Sequence, residues 1–582
     1  MSPTAVHRRL GRFARPSPAT VVVGLAMVAS AVLLMYWSRG QWFSSDDLGY
    51  ATRLATESFQ HALLQPPPNK YLIAFPLLLY KALFEIFGLD TYVPYRVLGI
   101  ALVLLCAGLL FALLRRWLPD RFAIPPTLLM LFFGAGSEVV ATPIRIPSQI
   151  ALAAGLGMML LLTRGSRRSD LVAMVLLAVS LASHPIGISF AAVAAVLIVL
   201  HSWDFWRRLW VVAIPGVLFT LWWIFLRAPD LPSFVPNRPD DVVVFVRQSW
   251  VALIAAVTGL FGVVDAPAYG QRPVLVVAIA LLGLIALGVA FSWRRLPPMF
   301  WAALVGLVVM MATTRLAPAG FFRHPDASRY LYPEAFLLLI PLGVLAGTLK
   351  LPGWAMWGAS AVLLVSLWPN IDRLQEGGRS FARFSDSYRM SWSAVELAGS
   401  NVNPEFIPGS GSLTAGLYGA AVRDFGSGGY RADEIAGKPE SLRHLADVVE
   451  VAALALKLEP APGPPKGGMA PRVTDPRVAV TTSDGCATVS GGTSAGKAAS
   501  ERGGVEFVLP EAGAWLGLGR PAGASVFLAR FADETTVPIR LPAGARDLEL
   551  RIPADQASVP WRLTVRSRSP FSVCGLARGA EG

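Results

Sequence analysis

The sequence predicts a polytopic α-helical membrane protein of about eleven spans, followed by an extracytoplasmic α+β region that ends in a small β-sandwich. Three observations predict this. Of the 582 residues 54% are apolar and only 15% charged, and the mean hydropathy is +0.53, the profile of a polytopic membrane protein rather than a soluble enzyme. The net charge of +13 is unevenly placed: residues 1–370 hold 28 Lys and Arg against 15 Asp and Glu, whereas residues 371–582 hold 23 against 23. The basic excess therefore lies in the connectors between apolar runs. That fits membrane lipids and anionic ligands and excludes nucleic acid, which would want a basic stripe on a soluble domain.

The first apolar run, at about 20–37, follows the basic segment MSPTAVHRRLGRFARPSPAT. It is longer than a signal-peptide core and no small-residue cleavage site precedes Trp37, so it reads as an uncleaved helix with a cytoplasmic N-terminus. Further runs lie near 94–114, 122–134, 148–163, 170–183, 186–201, 209–226, 273–291, 299–314, 330–348 and 353–369. Arg115-Arg116, Arg164 with Arg167-Arg168, Arg207-Arg208, Arg294-Arg295 and Lys350 fall at every second connector, and the positive-inside rule puts all five in the cytoplasm. Two apolar stretches, 69–88 and 250–267, would each invert that pattern if they crossed alone. The first also carries Lys81 and Glu85 one turn apart. Both read as helices in the outer interface. The protein is thus expected in the plasma (inner) membrane, multi-pass, with residues 1–370 as the membrane domain, a first outer loop at 38–93, and everything after 370 outside.

Residues 371–458 read as helical, 459–479 as a Pro/Gly-rich linker, and 480–582 as the sandwich, its short alternating runs separated by Gly, Pro and Asp turns. Cys486 and Cys574 flank that last part. Outside the cytoplasm thiols are oxidised, so a disulfide is expected. Trp515 or Trp561 could offer a stacking platform for a glycan; the competing reading is that both belong to the core.

The first outer loop opens with QWFSSDDLGY at 41–50. Asp46 and Asp47 lie between Trp42-Phe43 and an amphipathic run, at the interface rather than on a loop tip. A carboxylate there suits a general base facing an acceptor hydroxyl, and a pair suits a hard divalent cation (Mg or Mn); a solvated acidic loop is the bland alternative. The order of features is an apolar span, SSDDLGY, a proline run opening QPPPNKYLIAFPLLLYKALFEIFGLD, then YVPYRVLGIALVLL closing with Arg-Arg. This set, over about residues 20–120, resembles the first loop of the GT-C superfamily of integral-membrane glycosyltransferases, which includes protein mannosyltransferases, aminoarabinose transferases and actinobacterial arabinosyl- and mannosyltransferases. The resemblance implies a polyprenyl-phosphate sugar donor, an envelope glycan or lipid acceptor, work on the outer face, and catalysis by Asp46 or Asp47 with the other as partner; some relatives hold a metal at this place. Lys70 follows the prolines here instead of preceding them, a departure from the family pattern.

Arginines on the outer side run against the charge rule, so each invites a function. Arg145 in ATPIRIPSQ, Arg323 in GFFRHPDAS and Arg329 with Tyr330 in ASRYLYPEAF are candidates for donor-phosphate binding, since the guanidinium fork matches phosphate oxygens. Ser328-Arg329-Tyr330 resembles the arginine-tyrosine motif at the entry of a late GT-C span; headgroup anchoring is the alternative. His184 in LASHPIGISF is a candidate substrate contact or a helix cap. Glu138 reads as a solvated loop acid or a second catalytic acid, and Cys106 as an apolar filler. A transporter or flippase of a lipid-linked glycan is the rival function. It would be expected to place ionisable groups near mid-span, and the predicted spans are nearly free of them.

Overall fold

The computed structural model describes residues 17–65, 71–201, 205–226, 239–263, 272–315, 324, 326–409 and 412–454, and from 456 to 576 the strand residues with parts of their connections. The chain divides into two compact units. One comprises residues 1–41, 57–86 and 92–382; the other 42–56, 87–91 and 383–582. The division falls inside the long helix Leu367–Ala398.

The first unit is a body of apolar helices. Among the described residues, eight helices are long and apolar enough to cross a membrane, and three shorter ones, Ile186–Leu200, Trp210–Phe225 and Pro298–Thr314, are also apolar. This is a multi-pass membrane protein. Pro18–Trp37 shows how such a helix is bounded: Ser17 caps its start by accepting from the Thr20 N–H at 3.3 Å, Pro18 fits the first turn, and the Ser38 hydroxyl donates to the Leu34 carbonyl at 2.7 Å. Glycines permit close helix crossing where a side chain could not fit; a Cβ at Gly155 would lie 2.2 Å from the Phe190 ring. The Ser180 hydroxyl donates across helices to the Ala151 carbonyl at 2.8 Å. Leu25, Leu284, Phe291 and Trp354 point outward, as expected where the solvent is lipid.

One segment extends further toward the N-terminus than the sequence reading. The stretch 250–267 was expected to lie in the interface. The structure has a continuous helix Pro239–Gly259, and its 242–259 part is long and apolar enough to cross a membrane. Ala252, Ala255, Ala256 and Val257 are buried in the same core as the other helices. Asp240, Asp241 and Arg247 had hidden its first turns, because three charges interrupt the apolar run. The helix at 69–88 is shorter, Ala74–Phe87, and carries an exposed Lys81–Glu85 ion pair at 2.5 Å.

Among the described residues the second unit contains the helices Ser45–Thr56, Ala415–Phe425 and Glu440–Ala453 and eleven strands: β1 Leu458–Pro460, β2 Arg472–Val473, β3 Val480–Ser483, β4 Cys486–Val489, β5 Val505–Val508, β6 Trp515–Gly519, β7 Ser525–Ala529, β8 Val537–Ile539, β9 Asp547–Arg551, β10 Arg562–Arg566 and β11 Phe571–Leu576. They form two antiparallel sheets, ordered β1-β9-β6-β11-β4-β3 and β2-β5-β10-β7-β8. Phe507 from one sheet meets Phe571 from the other with ring centroids 6.4 Å apart, so the expected sandwich is present. Cys486 and Cys574 are paired opposite each other on β4 and β11 and form the expected disulfide.

Two details correct the reading of this region. Strands β1 and β2 lie in the stretch read as a linker, yet β1 pairs with β9 and β2 with β5. Pro460 hid β1, but an edge strand has one face of its backbone unpaired and tolerates proline. Trp561 is core, not a glycan platform: it is buried, with the Arg530 guanidinium 4.0 Å from its ring. The helix Glu440–Ala453 is locked onto the sheet by Asp447, which accepts from the backbone N–H groups of Arg530, Phe531 and Ala532 at 2.9–3.1 Å, and by a buried Glu450–Arg530 pair at 3.0 Å.

Candidate active site

The acid pair opens the helix Ser45–Thr56, and the structure gives its two members different surroundings. The Leu48 N–H donates to the Ser44 carbonyl at 3.0 Å, which makes Ser44 the N-cap. Asp47, three residues on, reaches back: its Oδ2 accepts from the Ser44 N–H at 3.0 Å and from the Ser44 hydroxyl at 2.9 Å. This is the carboxylate half of a capping box, and the negative charge also suits the positive end of the helix. Asp47 is fully buried. Asp46 lies on the same first turn but is partly exposed. Asp47 holds the helix start from a buried position, and Asp46 beside it is partly exposed.

The anchor is aromatic. Trp42 and Phe43 are buried, in edge-to-face contact at 5.7 Å. The Ser385 hydroxyl donates to the Trp42 carbonyl at 3.4 Å, and the Tyr388 ring lies 6.4 Å from that of Trp42. Burial raises the Tyr388 phenol to about 12, and the charges of Asp46 and Asp47 push the same way. Tyr388 is therefore a neutral hydroxyl at any ordinary pH.

The sequence reading had no view of what closes this loop. The Leu89 N–H donates to the Phe425 carbonyl at 2.8 Å. A Cβ at Gly88, whose φ is +60°, would lie 2.4 Å from that carbonyl oxygen, and one at Gly428 would lie 2.2 Å from the Leu89 oxygen and 2.7 Å from Trp42 Nε1. Only glycine fits at either place. The run FGSGGY at 425–430 is thus a strap whose glycines let two backbones touch. Arg389 Nε donates to the Gly428 carbonyl at 2.6 Å, and the Tyr430 N–H to Ser393 Oγ at 2.6 Å. Glu396 accepts hydrogen bonds from Tyr418 and Ser427. Burial raises its pKa, against the lowering effect of those two donors and of Arg389.

The candidate phosphate ligands belong to the other unit. Gly134–Gly136 forms a tight turn whose first N–H donates to the buried Asn370 Oδ1 at 3.0 Å. The single helical turn Ser137–Val140 follows, then Pro143–Arg145. This path brings Glu138 between two arginines. It pairs closely with Arg145 and lies 3.5 Å from Arg329 Nη1, and its own N–H donates to the Ser328 hydroxyl at 3.0 Å. The side chains are 14% exposed for Glu138, 20% for Arg145 and 30% for Arg329. The Arg329 guanidinium also sits 5.0 Å from the Tyr330 ring. Glu138, expected as a loop acid, is the clasp that brings Arg145 and Arg329 together. Two arginines and one carboxylate leave a positive balance among the three.

The remaining candidates divide. His184 Nδ1 accepts from the Ile186 N–H at 3.3 Å, and its ring meets Tyr71 edge-on at 5.1 Å; the cap reading describes it. Cys106 is buried. Arg323 and Lys70 lie outside the described residues.

No family model matches the sequence, and no curated protein does. Solved structures do. The chain is similar to the crystal structure of ArnT from Cupriavidus metallidurans bound to undecaprenyl phosphate, at 15% identity and a TM-score of 0.42, over 70% of this chain and 85% of that one. It is also similar to the structure of the arabinosyltransferase EmbB from Mycobacterium smegmatis, at 14% identity and a TM-score of 0.35, over 98% of this chain and 66% of that one.

A divalent cation at the acid pair would need both carboxylates. The Asp47 Oδ2 already accepts from Ser44 twice, and Asp46 is partly exposed. Among the described residues no group of three or more His, Cys, Asp or Glu side chains is placed to hold a metal ion. No step below is routed through a metal.

Proposed function

We propose that the protein is a membrane glycosyltransferase that moves a sugar from a polyprenyl-phosphate donor to a cell-envelope acceptor on the outer face of the membrane. The observation that supports this reading is the contrast within the acid pair: Asp47 is buried and caps the helix, while Asp46 stands partly exposed on the first turn of the same helix. A positioned carboxylate is what a general base requires. Asp46 takes the proton of the acceptor hydroxyl as its oxygen attacks the anomeric carbon; the bond from that carbon to the phosphate oxygen breaks, and polyprenyl phosphate leaves. Arg329 and Arg145 are assigned the donor phosphate, with Glu138 setting the direction of their forks.

The transporter reading gains one observation. Glu334 is fully buried in the helix Ser328–Leu349, and an ionisable residue within a span is a functional candidate by default. It stands in the second turn rather than near the middle, however, so the transferase remains the preferred reading. Purified protein supplied with a radiolabelled polyprenyl-phosphate sugar and envelope glycan should form a new glycosidic bond. Movement of intact lipid-linked glycan across a vesicle membrane, without bond formation, would decide for the transporter.

A further inference from the structure

We infer that the face of the helix Leu367–Ala398 formed by Phe384 and Tyr388 is the acceptor subsite, a platform for a neutral sugar ring beside Asp46. The inference rests on the transfer reaction proposed above and names its acceptor side. Phe384, Tyr388 and Trp392 are four residues apart and share one helix face. Phe384 and Tyr388 are stacked, with centroids 5.9 Å apart and ring planes 13° apart; Tyr388 meets Trp392 edge-on at 6.1 Å, and Trp392 meets Tyr418 at 4.3 Å. Burial is graded along this ladder. Trp392 is buried, Tyr388 is half-buried and Phe384 is 56% exposed. The inner rings are core, and the outer one offers its surface.

A lone exposed phenylalanine would mean little. This one continues a stack that is tied at two points to Trp42, four residues before Asp46: the Ser385–Trp42 hydrogen bond at 3.4 Å and the Tyr388–Trp42 contact at 6.4 Å. A sugar ring has a C–H face that stacks on an aromatic ring and an edge of hydroxyls. Tyr388 carries a neutral phenol, and the carboxylate of Asp46 can take a proton from such an edge. Charge selects the occupant. Asp46, Asp47, Asp386 and Glu396 of this unit are matched by Arg53 on the helix of the acid pair, Arg383 beside Phe384, Arg389 and Lys438; Lys438 and Arg389 each stand 3.9 Å from the Tyr430 ring, Lys438 pairs with Asp386 at 3.3 Å, and Arg389 donates to Gly428. Four acids against four cations leave no net charge to select an anion, which favours an uncharged glycan over a phosphate or an anionic headgroup.

The test uses the full-length protein in lipid nanodiscs on an array of neutral oligosaccharides released from bacterial envelopes, with phosphatidylglycerol vesicles as a second probe. Wild type should retain a subset of the sugars. Phe384→Ala should weaken that retention about tenfold, Phe384→Trp should restore it, and binding of polyprenyl phosphate should be unchanged in both. Asp46→Asn should keep sugar retention while losing transfer, so failure of the catalytic reading would be seen separately. Equal retention by Phe384→Ala, no retention by wild type, or an effect of the substitution on vesicle binding alone would each overturn the inference.

Discussion

The two units hold their functional side chains by opposite means. In the helical body, Glu138, Arg145 and Arg329 come from two short chain segments at helix ends and are held by charge on charge. In the second unit the acid pair opens a helix just after Trp42, whose partners Ser385 and Tyr388 lie some 340 residues further on, and the segment is held by backbone contact, by capping and by aromatic packing. The difference follows from solvent. A helix body in lipid gains little from burying more apolar surface, so polar clasps do the positioning. The second unit folds against water, where burial and tight backbone approach do it.

The strongest way to break this contrast is the disulfide. Reducing Cys486–Cys574 opens a cross-link with a sequence separation of 88, worth about 4–5 kcal/mol in the chain-entropy model. Thermal unfolding should show the second unit's transition falling steeply while the helical body's stays in place; equal shifts would mean that the units do not unfold separately. Next in size is Gly428→Ala, whose Cβ meets backbone at 2.2 Å. It should cost roughly 2–3 kcal/mol, seen as faster proteolysis of the first loop, with the helical body unaffected.

A change in the clasp should act on the other side of the comparison. Glu138→Gln should raise the KM for donor about tenfold, and Arg329→Lys by a similar factor, since a lysine lacks the bidentate fork. Neither should alter the unfolding of the second unit. An unchanged donor KM in both would return these residues to headgroup anchoring.

The smallest effect concerns pH. The Glu396 pKa is raised by burial above its ordinary value of 4.5. In the window between 4.5 and the raised value the folded state binds more protons than the unfolded one, so stability falls as pH rises through that window. Glu396→Gln should flatten that slope in a series of melting curves; an unchanged slope would assign it to other carboxyls, Asp447 first, whose pKa burial also raises.

Much of the helical body was legible because apolar length reports directly on a membrane fold. The strands were legible by alternation, and the disulfide by the placement of its two cysteines near the two ends of the sandwich. What was hidden has physical causes. Three charges masked the start of Pro239–Gly259, and prolines masked an edge strand. Arg145 and Arg329 stood out as cations against the charge rule, but their clasp Glu138 did not, because its role depends on a fold-back at Gly134 and Gly136. The strap at 425–430 was visible only as a glycine-rich string, and no local pattern shows which distant carbonyl a glycine must admit. The roles within SSDD were also unresolved in the sequence, although S-x-x-D is a capping pattern: Ser44 and Asp47 match it, and Asp46 does not.

That split is the central claim, and single-turnover transfer tests it most directly. Asp46→Asn and Asp47→Asn, each in full-length protein with a radiolabelled polyprenyl-phosphate sugar, should behave differently. Asp46→Asn should melt like wild type and lose transfer by about 10² or more. Asp47→Asn should lose about 1 kcal/mol of stability with its cap yet keep, per folded molecule, transfer within about tenfold of wild type. Near-normal turnover in Asp46→Asn, or the larger catalytic loss in a well-folded Asp47→Asn, would contradict the assignment.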